Sequence, residues 1–221
     1  MALPCSGFSS RLSLFILNSN KGEYITSIYI SPTSKIYFRV HENDTDYTND
    51  KFLEFDVNSK DILRTIDRWD AGGIIFTNFD YYFSPDGRYF IYSDNTPYWN
   101  KTGIRKYDLL TLQSDLIIEN GYDAIWSPSN KYIAYLQDNR IMLYTIETME
   151  SKVLFTPPDV ETLRQIYWLP DGNHLYFTTL LKKRPKFNLT RKSIINVESL
   201  QVNELTKEEY PKTAIKFYWK N

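Results

Sequence analysis

Apolar and aromatic residues gather along this chain in short bursts, and each burst is closed by a polar turn rather than carried on at helical spacing. The clearest case is Tyr81-Tyr82-Phe83, then Ser84-Pro85-Asp86-Gly87-Arg88, then Tyr89-Phe90-Ile91-Tyr92. Aromatic and β-branched side chains suit a pleated, half-buried surface. Between the flanks Pro85 presets its own φ, Asp86 can bond the backbone just ahead, and Gly87 takes positive φ without steric cost. Proline lacks the donor that a central ladder needs, so it belongs at a strand end. The stretch reads as strand, tight turn, strand.

Weaker copies of this hairpin recur. Phe83 has counterparts in Ile30 of Ile28-Tyr29-Ile30-Ser31-Pro32, Trp126 of Ala124-Ile125-Trp126-Ser127-Pro128, Trp168 of Ile166-Tyr167-Trp168-Leu169-Pro170, and Trp219 of Phe217-Tyr218-Trp219. The interval is roughly forty to fifty residues, a period typical of repeat architectures. Second strands follow at Lys35–Phe38, Tyr89–Tyr92, Tyr132–Tyr135 and His174–Phe177. Third strands are expected at Phe52–Val57, Ile104–Leu109, Arg140–Ile146 and Ser193–Val197. Fourth strands are expected at Asp61–Arg64, Leu116–Ile118, Ser151–Phe155 and Gln201–Leu205. Four strands with their connections need about forty residues, so the longer intervals carry loop insertions.

The apolar run Arg11–Leu17 aligns with Arg140–Ile146, and Glu23-Tyr24-Ile25-Thr26 follows as a fourth strand, so residues 11–26 read as the back half of a unit. Ile215–Trp219 reads as the first strand of another. The chain is therefore expected to be all-β: a β-propeller with four complete four-stranded blades plus partial blades at both termini, about five blade equivalents. A β-sandwich would not repeat four strands with one turn motif at one place. Residues 1–221 are expected to form a single propeller domain. The C-terminal strand could close the ring by pairing with the N-terminal two, or the chain could be an incomplete ring or fragment; both readings stay open.

Tyr82–Tyr92 closely resembles the repeat of TolB-like propellers, also called PD40 or WD40-like repeats, and Tyr167–Phe177 resembles it with leucine in place of serine. The copies at Ser31-Pro32-Thr33-Ser34 and Ser127-Pro128-Ser129-Asn130 lose Asp-Gly, although Asn130 still tolerates positive φ. The resemblance covers nearly all of residues 11–219, and its motif residues build turns and core. It implies a propeller like that of TolB, a periplasmic protein that binds other envelope proteins, or like the gating propeller of prolyl-oligopeptidase-type enzymes. The separate α/β domains of both relatives are not seen in these 221 residues. The resemblance allows a periplasmic or secreted location, and no functional residue carries over by position.

Composition narrows the picture further. Hydrophobic residues make up 42%, charged residues 24%, and the formal net charge is −1, so no global basic excess points to nucleic acid or an anionic membrane. Cys5 is the only cysteine, which excludes an intrachain disulfide and multi-cysteine zinc patterns. A lipid-anchor reading of Leu3-Pro4-Cys5 lacks the preceding apolar region, and the run Leu12–Leu17 is too short to span a bilayer. No nucleic acid, membrane insertion or cofactor is expected. Oligomeric state and compartment are left open.

Antiparallel neighbours send their turns alternately to opposite ends, so Ser84–Gly87 shares a rim with the third-to-fourth turns. The second-to-third loops and the connections between units share the other rim. The long insertions fall on that second rim, which makes it the candidate binding face. There, His41–Asp50 places oxygen side chains at Asp44, Asp46, Thr48 and Asp50 that could wrap calcium. It lacks the EF-hand glycine, and Phe55 stands where a bidentate glutamate is needed. Asp94–Thr102 puts Tyr98 and Trp99 at a loop tip, either folded back on the blade or exposed as an anchor. Trp69, in the connection Asp67–Gly73, is similarly placed. Lys182-Lys183-Arg184-Pro185-Lys186, with Arg191 and Lys192, makes one loop basic, either solvated or in contact with an acidic partner or phosphate.

Catalysis finds little support. No Gly-x-Ser-x-Gly elbow is present, and His41 and His174 fall at opposite ends of different units. The expected function is a non-enzymatic TolB-like binding module for a protein or peptide. The alternatives are a propeller detached from a prolyl-oligopeptidase-type hydrolase, with a gating or docking role, and a carbohydrate-binding propeller.

Overall fold

Turn chemistry sets where the strands of this protein end. A computed structural model describes residues 23–43, 48–71, 82–94, 103–181 and 190–205, and every regular element among them is a β-strand. The first sheet holds β1 (Glu23–Ile30), β2 (Ile36–Asn43), β3 (Thr48–Asp56) and β4 (Asp61–Ala71). The second holds β5 (Tyr82–Phe83), β6 (Tyr89–Asp94), β7 (Gly103–Asp108) and β8 (Gln113–Glu119). The third holds β9 (Tyr122–Trp126), β10 (Tyr132–Gln137), β11 (Arg140–Thr145) and β12 (Glu150–Phe155). The fourth holds β13 (Glu161–Trp168), β14 (His174–Leu181), β15 (Thr190–Asn196) and β16 (Val202–Glu204). Each sheet takes its strands in sequence order, and the pairings are antiparallel. These are the four four-stranded units that the repeat predicts.

Four expectations need correction or placement. Glu23–Thr26 is not a fourth strand of a preceding unit. It is the start of β1, pairing from Glu23↔Glu42 to Ile30↔Ile36 across a bulge between Ile25 and Ser27. The bulge absorbs the break in apolar periodicity that made one strand look like two. The polar stretch His41–Asp50 is not all loop: β2 and β3 run into it, with His41 opposite Asp50 and Asn43 opposite Thr48. Trp69 lies on β4, opposite Asp50, rather than in a connection. Polar residues extend a ladder readily because the backbone groups satisfy one another. The expected strands at residues 11–17 and 215–219 lie outside the described residues.

The described residues separate into two compact units, one holding the first sheet and the other the second, third and fourth sheets. In the first unit, one face of the sheet gathers Ile36, Phe38, Val40, Leu53 and Phe55, with Ile25 packed against them. Phe38 and Phe55 meet edge to face at 5.2 Å. The opposite face buries Glu54, whose Oε1 lies 2.7 Å from Lys35 Nζ and whose Oε2 lies 2.5 Å from Arg64 Nε. Burial pushes this carboxyl up, but the hydrogen bonds from Lys35 and Arg64 and their charges outweigh it, so Glu54 titrates below the ordinary glutamate range. Tyr37 stands directly opposite Glu54, and its phenol is pushed far up by burial first and by the Glu54 charge second.

In the second unit, the sheets pack face to face, and the period of two in β10 shows how. Ile133 and Tyr135 join Ile91, Ile104 and Ile118 of the second sheet, whereas Ala134 and Leu136 join Leu163, Ile166, Leu175 and Phe177 of the fourth. A strand buried on both faces reads as a continuous apolar run, as Tyr132–Leu136 does. Each fully buried side chain contributes about 1.5–3 kcal/mol. Two indoles mark the seams. Trp126 stacks on Tyr89 at 6.4 Å and 21°, and Trp168 on Tyr132 at 6.4 Å and 15°.

The Ser-Pro-Asp-Gly turn works as its chemistry requires. Ser84 N–H donates to Tyr89 O and Gly87 N–H to Ser84 O, with Gly87 at φ +69°. Asp86 Oδ1 accepts from Ser84 Oγ and from Arg88 N–H, while its Oδ2 accepts from Asn130 Nδ2 at 3.0 Å, tying this turn to the next repeat's. The third-to-fourth turns form a second repeated device that the sequence reading passed over as merely polar. Lys60, Leu112, Met149 and Leu200 sit at φ between +56° and +62°, each donating its N–H to the carbonyl of Asp56, Asp108, Thr145 or Asn196. Asp56, Asp108 and Asn196 also accept from the N–H two residues on.

Candidate functional site

The end of each sheet opposite the Ser-Pro turns carries the second-to-third loops, and in the fourth sheet a polar cluster stands there. The chain enters β13 at Glu161, whose N–H donates to Pro158 O at 2.8 Å. Glu161 pairs in register with Leu181, the residue just before the basic loop, and Leu180 pairs with Thr190 just after it. The ladder thus places Glu161 at the root of residues 182–189.

Glu161 is buried, with both carboxylate oxygens engaged. Thr179 Oγ1 donates to Oε2 at 2.7 Å, and Arg191 Nη1 lies 2.8 Å from Oε1. The main chain of Glu161 is fixed from the third sheet. Asn139 Nδ2 donates to Glu161 O at 3.1 Å, and Asn139 Oδ1 accepts from Leu163 N–H at 2.9 Å. Asn139 can make both bonds because the tight turn between β10 and β11 holds it at φ +58°, a conformation that asparagine tolerates better than most residues. Buried acids persist only when paired and hydrogen-bonded, and Glu161 meets that condition through Thr179 and Arg191.

Arg191 is the outward half of the cluster. Its side chain is 48% exposed, and its Nε lies 3.9 Å from Glu204 Oε1, too far for a direct hydrogen bond. A guanidinium has a rigid fork of donors, so one edge can be held by Glu161 while the others address an anion. With both its oxygens occupied, Glu161 serves as the orienting group rather than as a proton acceptor. The arrangement suits recognition of a carboxylate or phosphate by a pre-oriented arginine.

The sequence-derived candidates are distributed as follows. Arg191 and Lys192, read as part of the basic loop, lie on β15, paired with Thr179 and Thr178. Trp69 is on β4 and Asp50 on β3. Tyr98, Trp99, Lys182, Lys183, Arg184, Asp44 and Asp46 lie outside the described residues. Among the described residues no group of three or more His, Cys, Asp or Glu is placed to hold a metal ion. His174 opens β14 and bonds Asp171 Oδ2 through Nδ1 at 2.7 Å and Asn196 Nδ2 through Nε2 at 3.1 Å. Burial pushes the Asp171 carboxyl up, but bonds from Asn173 N–H and His174 hold it below the ordinary range. Glu161 escaped the sequence reading. The signal available was a charged residue at an inward position of the strand pattern Glu161-Thr162-Leu163.

No family model matches the sequence, and no curated protein matches it. Solved structures do. An oligogalacturonate lyase in complex with manganese matches at a TM-score of 0.59 and 16% identity, covering 86% of this chain and 55% of the lyase. The β-propeller domain of the trilobed protease from Pyrococcus furiosus gives 0.58 and 12%, covering 84% and 58%. TolB from Acinetobacter baumannii gives 0.53 and 15%, covering 93% and 60%. The chain spans less than two thirds of each. At these identities the likeness is one of fold, that of a β-propeller.

Proposed function

We propose that this chain is a non-enzymatic β-propeller binding module that takes a protein or peptide partner at the long-loop end of its sheets. In the fourth sheet the contact is with an acidic segment of that partner. The observation that carries the reading is Arg191, half exposed at the root of the Lys182-Lys183-Arg184 loop and held in place by the buried Glu161. Trp69, Tyr98 and Trp99 are proposed as further aromatic contacts from their residue type and sequence position, because large rigid side chains favour interfaces. The role proposed for Glu161 is positional, because both of its oxygens are already bonded.

Amide chemical shifts of the full chain, followed while a polyglutamate peptide is added, test this reading. Displacements centred on residues 161, 179–184 and 190–192, lost when Lys182, Lys183 and Arg184 are changed to glutamate, are the expected outcome. Displacements centred on the Ser84–Gly87 and Leu169–Gly172 turns would overturn it. So would a response to an oligogalacturonate but not to the peptide, which would favour an acidic carbohydrate instead.

A further inference from the structure

The third-to-fourth turns of the second unit carry large apolar side chains where the backbone least favours them. Leu112, Met149 and Leu200 close equivalent turns of the second, third and fourth sheets at φ +60°, +56° and +60°. In that left-handed region glycine or asparagine is the ordinary choice. The three residues are 45%, 75% and 47% exposed, and Leu110, in the first of these turns, is 76% exposed. The turn itself does not call for them, since its counterpart in the first sheet has Lys60 at φ +62°. Nor does the core, which they do not enter. Apolar side chains that neither the turn nor the core requires, set at strained positions, mark a contact made outside the fold.

The three turns stand at one end of the unit, on a braced base. Leu109, Ile146 and Val197 donate their N–H groups to the carbonyls of Arg88, Lys131 and Asn173, each at 3.0 Å, which ties every third-to-fourth turn to the first-to-second turn of its own sheet. The bond from Asn130 to Asp86 joins the second sheet's turn to the third's. Gly172 packs on Ser129, where a Cβ would lie 3.4 Å from the Ser129 nitrogen, and this joins the third to the fourth.

Charge identifies the occupant. Residues 108–112, 145–150 and 196–200 include Asp108, Glu147, Glu150 and Glu198 and no lysine or arginine. Asp108 is engaged by Arg88 at 3.0 Å, while the three glutamates are exposed. Lys131, at the base of the third sheet's turn, is outnumbered by them. Apolar tips edged with acids complement leucine-type side chains interspersed with basic ones, and they repel an anionic membrane.

We propose that this end of the second unit docks an amphipathic, basic segment of a partner protein. Its apolar side chains cover Leu110, Leu112, Met149 and Leu200, and its lysines or arginines meet Glu147, Glu150 and Glu198. The surface lies at the opposite end of the sheets from Arg191 and does not depend on it.

Methyl NMR of the full chain tests this, with a peptide of leucine and lysine at amphipathic helical spacing as the probe. The methyls of Leu112, Met149 and Leu200 are expected to move, and that of Met142, packed against the core, to stay. Leu112→Asn, Met149→Asn and Leu200→Asn together suit positive φ, so they are expected to weaken binding at least about tenfold without lowering the thermal midpoint. A peptide with serine in place of leucine, added to the unaltered chain, is expected not to bind, and that result needs no variant to fold. Unchanged affinity in the asparagine variant, equal binding of the serine peptide, or the same methyl shifts with neutral phosphatidylcholine vesicles would overturn the proposal. So would concentration-dependent shifts of these methyls without peptide, which would assign the surface to a second copy of the chain.

Discussion

Trp126 and Trp168 form a matched pair from which the contribution of a single hydrogen bond can be read. Both end the first strand of a sheet, both are buried, and both stack on a tyrosine at 6.4 Å. They differ at the indole nitrogen. Trp168 Nε1 donates to Ile125 O at 3.2 Å, bridging the third and fourth sheets, whereas Trp126 Nε1 is buried with no partner among the described residues. Replacing each with phenylalanine removes a similar apolar area and keeps an aromatic face for the stack. Trp168→Phe also removes a buried hydrogen bond, worth about 0.5–1.5 kcal/mol net. Trp126→Phe instead removes an unsatisfied donor, whose burial costs about 1–3 kcal/mol. The phenylalanine at 168 should therefore cost about 2 kcal/mol more than the one at 126, combining the two effects near the low ends of their ranges. Urea unfolding of the full chain, with slopes compared to establish that both variants unfold alike, gives the two differences. If Trp126→Phe proves as destabilising as Trp168→Phe, the reasoning is refuted.

Two further outcomes follow from backbone and charge. Leu112 and Met149 are exposed at φ +60° and +56°, where a side chain costs about 1–2 kcal/mol and glycine nothing. Glycine's greater freedom in the unfolded chain cancels part of the gain, so Leu112→Gly and Met149→Gly should each stabilise by about 0.5 kcal/mol; a lower thermal midpoint for both would count against the turn assignment. Glu54 has its folded-state pKa depressed below the ordinary 4.5, so the folded state binds fewer protons than the unfolded one. Its contribution is therefore present above that value and lost as pH falls through the folded pKa. Glu54→Gln should remove this part of the acid destabilisation, and an unchanged dependence of the urea midpoint on pH would contradict the ion-pair account.

What was legible in the sequence was whatever local chemistry dictates. Ser84-Pro85-Asp86-Gly87 announces its own hydrogen bonds, and Gly87 and Asn130 take the positive φ expected of them. The alternation in Tyr132–Leu136 was visible, although which neighbour each face meets was not, because that depends on how sheets stack. Strand ends were misread wherever polar residues continue a ladder, as at His41–Asn43 and Asp67–Ala71. The bulge at Ile25–Ser27 hid the unity of β1. The candidate site was half legible. Its cations were noticed as a cluster in sequence, but their anchor Glu161 lies thirty residues before Arg191, and only the β13–β14–β15 pairing brings the two together.

The binding reading rests on the end of the sheets at which recognition occurs, and two arginines at opposite ends separate the possibilities. Arg191 stands at the long-loop end, and Arg88 stands in the Ser-Pro turn region, paired with Asp108 at 3.0 Å. Calorimetric titration of a polyglutamate peptide into the full chain and into Arg191→Gln and Arg88→Gln compares them directly. The account predicts that Arg191→Gln weakens binding about tenfold, the effect of losing one charge-assisted contact at a solvated surface, while Arg88→Gln leaves it unchanged. Equal weakening by both variants, or weakening by Arg88→Gln alone, would contradict it.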